Sequence, residues 1–173
     1  MTKATCREIP TYRNYVLKGR VKITVKRGDG RIENILIPNV LTDTGIAGVA
    51  KLINGTSTSP FKYVAIGDGS STSPGSCASE STSDTALGHE LKRKAGSTSM
   101  TTTSVTDDTA VIEATFSSAD GLSGSSSLCE SGLFDADTGG TLLARAVFDV
   151  INLNWDNGDQ ITIRWEVQVQ RPA

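Results

Sequence analysis

A chain of 173 residues fits one domain and can bury roughly 70% of its unfolded surface, enough for a core without staples. Aromatic residues make up 5% while Ser, Thr and Gly are abundant, a composition that suits short strands joined by turns and disfavours a helical bundle. A formal charge of −2 and a pI near 5.4 exclude any global attraction for nucleic acid or an anionic membrane.

The first residues, MTKATCREIPTYRNY, are polar and lack the apolar run of a signal peptide. Residues 1–14 are therefore expected to form an extended N-terminal arm, and the product to be cytoplasmic when made. No stretch approaches the ~18 apolar residues of a membrane span. In 15–26, Val21, Ile23 and Val25 alternate with Lys22, Thr24 and Lys26, the period of a strand with one dry face. RGDG (27–30) turns into RIENILIP (31–38), so a hairpin is expected, closed by Pro38, which cannot donate to a ladder. TDTGIAGVAKLING (42–55) predicts one short helix at about 43–54, capped by Thr42 or Asp43 and ended by Asn54-Gly55. Its apolar residues Ile46, Val49, Ala50 and Ile53 recur with helical spacing, and Gly45 and Gly48 lower its intrinsic helicity, so it should need a sheet to lie on.

FKYVAI (61–66) predicts a strand, followed by a Ser/Thr-rich loop over 68–83 and a single helical turn in DTALGHEL (84–91). Strands are expected at 97–105, at 109–116 with Ala110, Ile112, Ala114 and Phe116 on one face, and at 128–134. Two more are expected at 141–150, with Leu142, Ala144, Ala146, Phe148 and Val150 in phase, and at 161–170. The last, ITIRWEVQVQ, alternates most cleanly and buries Trp165. Together these predict a mainly β protein, an antiparallel, jelly-roll-like β-sandwich spanning residues 15–173 as one domain.

No assembled site emerges. Gly67 and Gly69 follow a strand as in phosphate loops, but no lysine comes before Lys92 and no helix follows. DADTGG (135–140) lacks the later ligands of a calcium loop, and Arg27-Gly28-Asp29 reads as a hairpin tip. His89 is the single histidine and no serine stands in G-x-S-x-G, so neither a zinc site nor a triad can be assembled from motif. Glu113, Glu130, Asp135 and Asp137 are read as solvated strand faces, although they could pair as acid and base. Lys92-Arg93-Lys94 reads as a solvated strand entrance. Catalytic, cofactor-binding and metal-ligating residues are therefore each expected to be none, no cofactor is expected, and an enzyme is not. Cys6, Cys77 and Cys129 are widely spaced, and reduced thiols are the default for a cytosolic product. An odd number leaves one thiol free or available between subunits, with Cys6 or Cys77 the candidates for such a cross-link.

Several segments in order carry a resemblance. VLTDTGIAGVAKLING (40–55), YVAIGDGSS (63–71) and Ser83-Asp84-Thr85-Ala86-Leu87 with Glu90 and Arg93 come first. Glu130, Gly132, Leu133 and Phe134, then Gly139-Gly140, then Leu143-Ala144-Arg145 follow. This run is similar to a group of small tail-associated structural proteins of tailed bacteriophages and covers about 40–170. The resemblance implies a virion component, a β-sandwich that assembles as a symmetric homo-oligomer on the tail, neck or baseplate with other virion proteins as partners, and no catalytic residues to carry over. The 70–83 loop and the 15–38 hairpin are additions to that pattern. Residues 1–14 and 68–83, which lack core-forming periodicity, are expected at subunit contacts. Two alternatives accompany this reading. One is a capsid decoration protein. The other is a carbohydrate-binding module that would take a glycan on Trp155, the candidate aromatic platform beside a turn.

Overall fold

The alternation at 16–26 and 160–170 places two long strands side by side at the centre of one sheet. A computed structural model describes residues 16–171, so the arm expected at 1–14 lies outside the described residues. In chain order the elements are β1 (Val16–Lys26), β2 (Ile32–Ile37), β3 (Val40–Leu41), α1 (Asp43–Ile53), β4 (Tyr63–Gly67) and β5 (Glu90–Ala95). Then come β6 (Ser97–Thr101), β7 (Thr109–Phe116), β8 (Ser125–Phe134), β9 (Leu142–Asn154) and β10 (Gln160–Gln170). Two five-stranded antiparallel sheets form, β2-β1-β10-β7-β6 and β3-β9-β8-β4-β5. Each strand follows the pleat, so its inward residues meet those of the other sheet. Val21, Ile23, Ile112, Phe116, Ile161, Ile163 and Trp165 of the first sheet share one core with Val64, Ile66, Leu128, Leu133 and Phe148 of the second. The expected mainly β sandwich is what forms.

The β1–β2 hairpin closes as its turn residues require. Gly30 takes φ +90°, the Gly30 N–H donates to the Arg27 carbonyl, and the Arg27 N–H donates to Arg31 O at 2.9 Å. Asp159, from the β9–β10 turn, accepts from the Gly28 N–H at 2.9 Å and the Asn154 N–H at 3.0 Å, joining two strand tips.

Four expectations are corrected. Residues 84–91 form no helical turn, because their polar groups are taken by sheet residues: the Gly88 and His89 N–H groups donate to Glu130 and Asp84 accepts from Arg145. The helix forms, with the Thr42 hydroxyl accepting from the Gly45 N–H, but its packing face is turned from the one expected. Gly45 and Gly48 are buried, while Ile46 and Ile53 face solvent at 53% and 83% exposure. A Cβ at Gly45 would land on the Leu143 backbone, and one at Gly48 would sit 2.7 Å from the Phe61 ring, so absent side chains let the helix approach β9. In β9, Val150 is exposed and Ile151 and Leu153 enter the core instead. The cause is a register slip: Leu128 pairs with Ile151 but Glu130 with Val147, so β9 carries extra residues opposite Cys129. Finally, Lys92-Arg93-Lys94 is no solvated entrance but lies within β5. Arg93 stacks 3.5 Å from the Phe134 ring centre, and Lys94 reaches Asp120 at 2.7 Å.

Candidate functional site

The bulge at Cys129 decides what β8 presents on each side. Leu128 and Leu133 belong to the main core, and Ser131 bonds inward, donating to Ala65 O and accepting from the Trp165 indole N–H. Glu130 and Gly132 consequently point to the opposite face. There Ala65, Leu87, Phe134 and Leu142 make a second small apolar cluster against Tyr63. Three of these four, Ala65, Leu87 and Phe134, belong to the ordered motif run.

Beside that cluster lies a buried ion pair. Arg145 Nη2 is 2.7 Å and Nε 2.9 Å from Glu130 Oε2, with side chains 4% and 0% exposed. The guanidinium donates also to Asp84 Oδ2 at 2.9 Å, Ser79 O at 3.3 Å and Ala78 O at 3.1 Å. Burial opposes the Arg145 charge, but the hydrogen bonds to Asp84 and Glu130 outweigh it and hold the group above its ordinary range. Glu130 also accepts from the Gly88 and His89 N–H groups at 3.1 and 3.0 Å. Apart from the Arg145–Glu130 pair itself, which joins β9 to β8, these bonds tie the excursion between β4 and β5 to the outer face of the second sheet. Asp84, Glu130 and Arg145, up to 61 residues apart, are three of the charged residues of the motif run, and the fold brings them together.

Two further ties hold the same excursion. Cys77 and Cys129 form a disulfide with Cα atoms 5.9 Å apart, across 52 positions of sequence. This corrects the expectation of reduced thiols: folding the loop back delivers Cys77 to the bulge residue of β8. It also removes Cys77 as an intersubunit cross-linker, and Cys6 lies outside the described residues. At the loop's start, Asp68 Oδ1 sits 2.6 Å from His89 Nδ1. In a neutral imidazole whose Nδ1–H donates to this carboxylate, Nε2 keeps the lone pair, the arrangement a general base would need. No hydroxyl or thiol of the described residues is hydrogen-bonded to Nε2, so a dyad is present without a nucleophile. Sequence reading missed it because His89 and Asp68 are 21 positions apart, and it missed the Arg145 triangle for the same reason.

The carboxylates weighed as an acid–base pair do not converge. Glu130 is buried against Arg145, correcting its reading as a solvated face, Glu113 lies 3.6 Å from Arg164, and Asp135 accepts from the Thr141 N–H. Trp155 is 1% exposed and donates its indole N–H to Ser126 Oγ at 2.8 Å. It is a core residue and cannot stack on a sugar, which withdraws the platform of the carbohydrate-binding alternative. Among the described residues no group of three or more His, Cys, Asp or Glu side chains is arranged to hold a metal, and no helix is long and apolar enough to cross a membrane. Comparison with family models, with curated proteins and with solved structures returned no match.

Proposed function

We propose that the chain is a structural component of a tailed-phage particle, assembling as a homo-oligomer on the tail, neck or baseplate with other virion proteins as its neighbours. One observation carries the reading. Asp84, Glu130 and Arg145 of the tail-protein-like run, beside its Ala65, Leu87 and Phe134, build an internally satisfied fastening on the outer face of the second sheet, which is a structural use of polar groups. Such a run has a reason to keep its order and spacing without any reaction to serve. A second observation agrees with it: among the described residues Ile32, Leu36, Ile46 and Ile53 of the β2–α1 segment, and Met100, Val105 and Val169 elsewhere, are more than half exposed. Exposed apolar side chains in this number suit a protein that is covered by neighbours in its working state.

The experiment is genetic. Deleting the gene from the phage that encodes it should abolish or deform assembled particles, and the wild-type chain supplied in trans should restore them. His89→Ala should restore them equally, since the Asp68–His89 pair closes a loop in this reading. Particles that assemble and infect normally without the chain would refute the proposal, and restoration by wild type but not by a folded His89→Ala protein would point to chemistry at the dyad instead.

A further inference from the structure

Sheet edges are where a β protein either joins a neighbour or defends itself. Four edges exist among the described strands. β5 has Arg93 and Lys94 already paired with Glu90 and Asp120 and is blunted by Lys92, and β3 is two residues long. β6, Ser97–Thr101, offers hydroxyls and one methionine, so an added strand would cover little apolar surface. β2 is different. IENILI has no lysine, no proline and no bulge, and its one charge, Glu33, is neutralised by Arg27 at 3.0 Å. Ile32 and Leu36 are 61% and 63% exposed on the sheet's outer surface.

The hairpin fixes which backbone groups of β2 are free. Arg27 N–H donates to Arg31 O, so the exchanged hydrogen bonds recur at every second pair: Val25 with Glu33, Ile23 with Ile35, Val21 with Ile37. Ile32, Asn34 and Leu36 therefore aim their N–H and C=O groups away from β1, at the open edge. The geometry points to β2 as a self-complementary docking edge for a second copy of this chain, paired antiparallel about a twofold axis at Asn34. In that register Asn34 faces Asn34 of the other copy, and Ile32 faces Leu36 in both directions, so all three free residues exchange both backbone bonds. The four exposed apolar side chains then form one band bracketed by Lys22 and Lys26 of each β1, which stand opposite Leu36 and Ile32. Electrostatics selects this register. A shift one way sets Glu33 against Glu33, and a shift the other way sets Ile32 against Pro38, which has no N–H to give.

The inference deepens the assembly reading and rests on it for the relevance of self-contact, but solution mass of the purified full chain tests the edge alone. Sedimentation should show a species of twice the chain mass that dissociates on dilution. Asn34→Pro removes an edge donor and the exposed side-chain bond from Thr24 while leaving the backbone bonds of the β1–β2 ladder in place, and Leu36→Lys adds charge to the band. Each should weaken the dimer at least about tenfold while far-ultraviolet circular dichroism and thermal midpoint stay within error of wild type. Leu36→Lys keeps the test open if the proline variant does not fold. In the wild type, amide exchange at 32, 34 and 36 should slow with rising concentration. A single-chain mass up to millimolar protein overturns the proposal, as does a dimer that both variants leave unchanged. Protection of those amides that does not depend on concentration also overturns it, since the chain's own residues would then occupy the edge. None of these failures touches particle incorporation, which the genetic test reads separately.

Discussion

Arg145 holds one carboxylate that is wholly buried and a second that is partly so, together with two loop carbonyls, and a charge in that position is worth most when something else is left without it. Arg145→Met should cost about 3–5 kcal/mol in denaturant unfolding, because Glu130 would remain buried and uncompensated. Glu130→Gln should cost less, since the amide oxygen can still accept from Gly88 or His89. Acid sensitivity belongs to other carboxylates. Asp159 is held below the usual range by the Asn154 N–H, against the opposing effect of burial, with Gly28 and Arg27 adding to the lowering. Asp108 meets an opposing desolvation that is outweighed by the Gln168 amide and by the N–H groups of Val105, Thr103 and Ser104, and it is depressed further. A carboxylate depressed in the folded state stabilises above its unfolded value of about 4, and the contribution is lost as pH falls from there through the folded value. The thermal midpoint should therefore be flat near neutrality and fall below about pH 4, with Asp108→Asn/Asp159→Asn starting lower and showing a shallower acid limb. An unaltered acid limb in that variant would remove these two groups from the account.

At the scale of elements, the helix is the instructive case. Its existence, a cap at Thr42 or Asp43 and an end at Asn54-Gly55 are legible because capping and spacing are local properties of the chain, and the structure selects Thr42. Its orientation is not, because hydrophobic periodicity assumes the apolar stripe faces the core. Here close approach to β9 outweighs burial of Ile46 and Ile53, and the glycines that weaken the helix are what seat it. Gly45→Ala should accordingly destabilise by about 1–3 kcal/mol despite its better helix propensity, through collision with the Leu143 backbone. Ile53→Lys, on the exposed side, should stay within about 0.5 kcal/mol of wild type. If both changed stability alike, the packing face would be wrong. Alternation likewise made β1, β7 and β10 readable, whereas the phase of β9 past Phe148 depends on a bulge that no local signal marks. The excursion between β4 and β5 was opaque for a related reason: its ties are a disulfide and an ion pair to residues more than fifty positions away. Replacing both bridging cysteines, as Cys77→Ala/Cys129→Ala, should lower stability by about 2–4 kcal/mol, and alkylation before reduction should leave Cys77 and Cys129 unlabelled.

For the whole molecule, composition and alternation sufficed for the sandwich, and the ordered motif run supplied the only pointer to a biological setting. The structure gives that run a physical meaning as a fastening, and it gives β2 and α1 an outward apolar character that strand counting could not supply. Both features suit the proposed reading of a part joined to others. The most direct measurement is quantitative mass spectrometry of gradient-purified particles of the phage that encodes the chain. The reading predicts that its peptides co-purify with intact particles at a fixed copy number per particle, one that matches the symmetry of the tail, neck or baseplate. Absence from the particle fraction, with the chain recovered only among free host-cell proteins, would contradict it.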